Sequence, residues 1–215
     1  MTISDSSLPY GGKLQSFRVD LREWSRDAAG LRLEASLGKA SLIVETQAKG
    51  IFSGAIAVKM DVSVRDFSSN DWKMPDGVSF GPVNVALHAE GNPAKPASLS
   101  LDGKVSVSDI KAAGVLLDSV SAEFGVKDGI ASVSEAKVVR GSNEILASME
   151  AKLAEDVMKS PWTAKVAVKI ADVTQLLAEP PPVKGLIEVT ANAEGIGVTP
   201  VKAMARLQGT DLGFE

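Results

Sequence analysis

The stretch Ile56-Ala57-Val58-Lys59-Met60-Asp61-Val62-Ser63-Val64-Arg65 decides the fold. Ile56, Val58, Met60, Val62 and Val64 alternate with Ala57, Lys59, Asp61, Ser63 and Arg65. Successive side chains leave a β-strand on opposite sides, so this ribbon has one apolar face and one wet face. A strand of a parallel sheet buried on both sides would read as a continuous apolar run instead. The alternation therefore points to an antiparallel sheet with one solvated face.

The same period recurs outward in both directions. Leu99, Leu101, Val105 and Val107 alternate with Ser98, Ser100, Asp102, Lys104, Ser106 and Ser108. Ala164, Val166, Val168 and Ile170 alternate with Thr163, Lys165, Ala167 and Lys169. Val83, Val85 and Leu87, then Val120 and Phe124, then Ile187 and Val189 extend the series. Turn signals such as Asp76-Gly77, Asp128-Gly129 and Gly141-Ser142-Asn143 separate roughly a dozen strands. Helix is confined to one short candidate, Val173 to Ala178, entered through Asp172 as N-cap with Gln175 in a capping-box position and stopped by Pro180-Pro181-Pro182.

Composition narrows the function classes. There is no Cys, so no thiol nucleophile, disulfide or Cys-ligated zinc is available. With His88 as the one histidine, neither a His-based metal cluster nor an imidazole-centred triad is expected. A formal charge of −4 offers no basic field for nucleic acid. The expectation is a non-enzyme without metal or cofactor. Aromatic residues make up 5% of the chain, fewer than a closed core of this size ordinarily uses to fill space.

An internal repeat is legible. Pro82-Val83-Asn84-Val85 through Ala89-Glu90-Gly91 is echoed by Pro182-Val183-Lys184-Gly185 through Ala193-Glu194-Gly195, and the step from Gly91 to Gly195 equals that from Pro96 to Pro200. Each proline leads into a strand with an internal glycine, Gly103 or Gly209, and then an acid, Asp109 or Asp211. Asp66 is the expected counterpart of Asp172. The unit is about a hundred residues of antiparallel strands with one crossover. Residues 1–30 read as an N-terminal strand region, 31–110 as a first repeat and 111–215 as a second, in a fragment of a longer chain.

The succession Lys169-Ile170-Ala171-Asp172-Val173-Thr174-Gln175-Leu176-Leu177, Pro182-Val183-Lys184-Gly185-Leu186-Ile187-Glu188-Val189 and Ala205-Arg206-Leu207-Gln208-Gly209-Thr210-Asp211-Leu212 resembles the AsmA/TamB superfamily. Leu101-Asp102-Gly103-Lys104-Val105-Ser106-Val107-Ser108-Asp109-Ile110 has the same character. The resemblance implies an all-β fold, a long antiparallel sheet curled into an open apolar groove of repeating units. It also implies passive carriage of phospholipid or another acyl lipid across the bacterial periplasm, with inner- and outer-membrane proteins at the ends of the full-length bridge. Members are anchored in the inner membrane by an N-terminal helix. The opening MTISDSSLPYGGK has no apolar segment, and no window approaches the ~18 apolar residues of a membrane span. The family carries no catalytic motif.

The apolar residues of the alternating runs are the candidate lining: Val58, Met60, Val62 and Val64, with Val83, Val85, Leu87, Leu99, Leu101, Val105, Val107, Val120, Phe124, Ala164, Val166, Val168, Ile170, Ile187 and Val189. Water exposure of a lipid tail costs about 0.8 kcal/mol per methylene, or roughly 12 kcal/mol for a chain of about fifteen. A uniform aliphatic lining offsets that cost along its length without a point of arrest. The competing expectation is a structural or adhesive β-sandwich or solenoid, whose apolar faces close on each other and whose function lies at the surface. His88, on the parity of Asn84 and Glu90, belongs to the wet face. Trp24, Trp72 and Trp162 fall near strand ends or loops.

Overall fold

A computed structural model describes the chain except residues 1, 8–12, 54, 72, 73, 93, 94, 96, 97, 113, 176–182 and 215. It is one sheet of 13 strands, every pairing antiparallel, with spatial order equal to chain order. The strands are β1 (Thr2–Ser7), β2 (Lys13–Trp24), β3 (Ala28–Leu37), β4 (Ala40–Lys49), β5 (Ala57–Phe67), β6 (Val83–Gly91) and β7 (Ser100–Ala112). Then follow β8 (Val115–Lys127), β9 (Ile130–Arg140), β10 (Asn143–Lys152), β11 (Pro161–Ile170), β12 (Val183–Ile196) and β13 (Thr199–Phe214). No crossover occurs among the described strands. The expected crossover in each repeat is replaced by longer connections between adjacent strands, because β5 pairs directly with β6 and β11 with β12.

Local chemistry sets the turns. Asp128 and Gly129 take positive φ angles of 52° and 75° between the paired residues Lys127 and Ile130. Both central residues of this two-residue hairpin are left-handed, which matches the right-handed twist of the flanking strands. Helical structure among the described residues includes 3-10 turns at Ser69–Asp71, Val157–Lys159 and Val173–Gln175. The expected helix is thus a single turn over its first residues; Leu176 to Ala178 and Pro180 to Pro182 lie outside the described residues.

The sheet is open. Among the described residues the buried apolar ones are Ala28, Ala35 and Ala40, and no large side chain is fully buried. A closed sandwich of this length would enclose Val, Leu and Phe at close-packed density. A compact monomer of this mass exposes roughly 9,400 Å², whereas this chain exposes 14119 Å². The dry-core alternative does not fit these values. No described helix is long and apolar enough to cross a membrane.

Candidate functional site

Register turns the alternating ribbons into a continuous surface. Phe17 on β2 lies opposite Ala35, which lies opposite Leu42, then Val64, Val85 and Val105. The same row continues through Ala122, Ala136, Ala147, Val166, Ala191 and Ala205 on β13. Twelve strands contribute one residue each, and none is polar. A one-residue slip anywhere would move a strand's apolar set to the other face, so the unbroken row specifies every pairing.

Parallel rows flank it. Val62 faces Leu87, which faces Gly103, which faces Phe124; the row goes on to Val133, Met149 and Ala164. Val83, Val107, Val120, Val138, Ile145, Val168 and Val189 form another. Met60 and Leu101 both pair with Ala89, Ile170 pairs with Ile187, and Val58 pairs with Gly91. The expected lining residues therefore share one face, except that Leu99 sits just before β7, beside Gly91. They are half-buried; Val166, at 37%, is the most exposed of them.

Enclosure is greatest near β2–β5. There Leu14, Phe17, Leu37, Leu42, Val64 and Phe67 line a concavity of about 480 Å³ together with Ala35 (8% exposed) and Ala40 (4%). Phe67 meets Phe80 of the following connection, ring centroids 5.9 Å apart. Toward β13 the face opens, and Leu207 is 71% exposed. Two aromatic rings pack against glycines on it. Phe124 covers Gly103, and Trp162 covers Gly195, each so closely that a Cβ on the glycine would come within 2.5 Å of the ring. Trp162 Nε1–H also donates to the Gly197 carbonyl at 3.0 Å. Trp24 is 80% exposed at the end of β2, and Trp72 lies outside the described residues.

The opposite face carries the charge. Asp20, Arg32, Glu45, Asp61, His88 and Asp102 follow one another across six strands. The Arg32 guanidinium pairs with Glu34 and Glu45, which raise its pKa, the Glu34 hydrogen bond first. Lys104 and Glu123 pair at 2.5 Å, and Lys137 and Glu144 at 2.7 Å, raising both lysine pKa values. His88 Nδ1 lies 2.6 Å from Asp61 Oδ1, and that hydrogen bond holds the imidazole pKa above its ordinary value. His88 is thus on the wet face, as its parity predicts. No group of three or more His, Asp and Glu suited to a metal ion occurs among the described residues.

The rim is held by contacts that alternation cannot reveal. Asn143 is 4% exposed and satisfies three backbone groups. Its Oδ1 accepts from the Ala171 and Asp172 N–H groups, both at 2.9 Å, and its Nδ2 donates to the Asp172 carbonyl at 2.7 Å. Asp172 caps its turn as expected, accepting from Thr174 N–H at 2.9 Å. Gln175 does not close a capping box; its Oε1 accepts from Ser142 N–H across the rim. Asp66 is not the counterpart cap either. It has a φ of 55° and donates its N–H to Asn84, while Asp71 Oδ2 accepts from Ser68 N–H ahead of the first 3-10 turn.

What these parts can do is accommodate hydrocarbon on one side and water on the other. No family model, no curated protein and no solved structure matches the chain.

Proposed function

We propose that this chain guides acyl lipid, phospholipid in the first instance, along a trough formed by its apolar face. The observation that carries the reading is the row from Phe17 to Ala205, uninterrupted by any polar residue. With strands about 4.8 Å apart, such a row is roughly 50 Å long. A tail lying along it passes from strand to strand, exchanging one aliphatic contact for the next. No charge stands in its way, and burying one against hydrocarbon would cost several kcal/mol. No bond is made or broken, so the residues act as a surface and not as a catalyst.

Details of the face support passage over capture. The row on β8–β13 is mostly alanine, whereas the β2–β7 half carries Phe17, Leu42 and three valines. Small side chains leave volume for a guest. The rings of Phe124 and Trp162 occupy the space that a side chain at Gly103 or Gly195 would fill. An apolar surface this extensive needs cover in water, and lipid supplies it. In this reading the chain is an AsmA/TamB-type element of the bacterial envelope, working in the periplasm between an inner-membrane anchor and outer-membrane partners carried or met by the full-length protein.

A photocrosslinkable phosphatidylethanolamine tests the proposal. The wild-type chain crosslinks; Val62→Asp and Val166→Asp, charged on the lining, do not. Ser63→Asp, on the opposite face, retains crosslinking. Retention by folded Val62→Asp and Val166→Asp overturns the reading.

A further inference from the structure

We infer that the loop between β4 and β5 is a membrane-docking tip, which sets Ile51 and Phe52 into the interface of an anionic lipid surface. Turns ordinarily carry polar residues and those with special backbone needs. This one presents Phe52 at 73% exposure, with Ile51 and Ile56 also exposed. β4 and β5 are each paired on both sides, so the loop stands within the row of strands and not at an edge of the sheet. Its backbone is pinned. Gly50 has a φ of 70°, and a Cβ there would collide with the Ala55 carbonyl oxygen. Ser53 Oγ–H donates to the Gly50 carbonyl at 3.2 Å. Asp27, in the β2–β3 turn, holds the loop from the side: its carbonyl accepts from Gly50 N–H at 2.9 Å and its Oδ1 from Phe52 N–H at 3.1 Å.

Chemistry selects a lipid surface as the occupant. Arg26, beside Asp27, and Lys49, the last residue of β4, are exposed at the base of the loop and have no ion pair among the described residues. The acid between them in the corner, Asp27, has an oxygen committed to Phe52 N–H. Bases beside large apolar side chains make an interfacial anchor: the apolar groups enter the boundary of headgroups and acyl chains, and the bases meet anionic headgroups. A protein partner would bring the same charges against the core of an interface, from which charged residues are depleted. Position adds a second argument. The loop leads straight into the trough, because Ala48 just before it and Val58 just after it stand opposite each other on the apolar face. A docked loop brings that rim of the trough to the bilayer surface, where a tail passes onto Val58 without crossing water. This passage rests on the lipid-guiding reading; the docking itself does not.

The test is cosedimentation of the whole chain with vesicles of phosphatidylcholine, and of phosphatidylcholine and phosphatidylglycerol in equal parts. Expected is binding about tenfold or more tighter to the mixed vesicles. Phe52→Asp lowers that binding about tenfold, as does Arg26→Glu combined with Lys49→Glu, with circular dichroism unchanged. Val115→Asp, at an exposed residue of the opposite rim, and Val62→Asp, within the trough, bind as the wild type does. The chain has no cysteine of its own, so a solvatochromic dye on Ser53→Cys reports the loop alone. Its emission shifts to the blue on mixed vesicles and is quenched by spin labels on the acyl chains. No vesicle binding, an unquenched dye, or wild-type binding by Phe52→Asp overturns the inference. So does loss of binding in folded Val62→Asp, which would mean that the trough face adheres by itself. Failure of the lipid-guiding reading shows instead in phospholipid crosslinking, so the two failures are told apart.

Discussion

The ring of Phe124 on β8 reaches over Gly103 on β7, so closely that a methyl group at Gly103 would come within 2.5 Å of ring carbons Cε2 and Cζ. A glycine inside a strand ordinarily weakens it. Here it leaves the room that the largest side chain of its row occupies, between Leu87 and Val133 in the register.

Gly103→Val should therefore destabilise the sheet by about 1–3 kcal/mol, the usual cost of overpacking. Combining it with Phe124→Ala should recover part of that loss, because the two residues are in contact and their effects are not additive. Urea unfolding of both single variants and the double variant measures the coupling. Strict additivity would show that the ring does not rest on Gly103.

Asn143→Ala removes the acceptor for two backbone N–H groups and the donor to one carbonyl. Its partners are part-buried, so each lost bond costs about 0.5–1.5 kcal/mol. Amide exchange at Ala171 and Asp172 should accelerate before global unfolding does, since these groups hold the rim connection to the β9–β10 turn. Unchanged exchange at both amides would remove Asn143 from that role.

How much of this was legible in the sequence follows from what period two encodes. Val58 to Val64 reveal which side of one ribbon is apolar, and the same parity assigns Val166 and Val189 to the apolar sides of their own strands. Openness was legible only as a shortage of aromatic residues. The Phe124–Gly103 and Asn143–Asp172 contacts were not, because each depends on the register between strands or on a loop folding back. Asp66 misled for the same reason. Its position matches Asp172, but the bond that caps the first 3-10 turn comes from Asp71, five residues on. A glycine interrupting an otherwise aliphatic parity, as Gly103 does, is the one local sign that a large neighbour lies across it.

The imidazole of His88 titrates with a raised pKa, first because of its hydrogen bond to Asp61, with the charges of Asp61 and Asp102 adding and desolvation and Lys59 opposing. A folded-state pKa above the unfolded value of about 6.5 means that the protonated form favours folding. The contribution is complete below that unfolded value and is lost as pH rises through the folded-state pKa. Solvent exposure keeps it small. Proton NMR of His88 should show a midpoint above that of an unfolded peptide, and Asp61→Asn should lower it. An unshifted midpoint in the wild type would contradict the pairing.

Native mass spectrometry of the chain, purified without harsh detergent from a bacterial host, tests the lipid-carrying reading most directly. The account predicts adducts with phospholipid masses on the wild-type chain that disappear from folded Val62→Asp. A wild-type chain that flies bare, folded and monomeric under the same gentle conditions would contradict it.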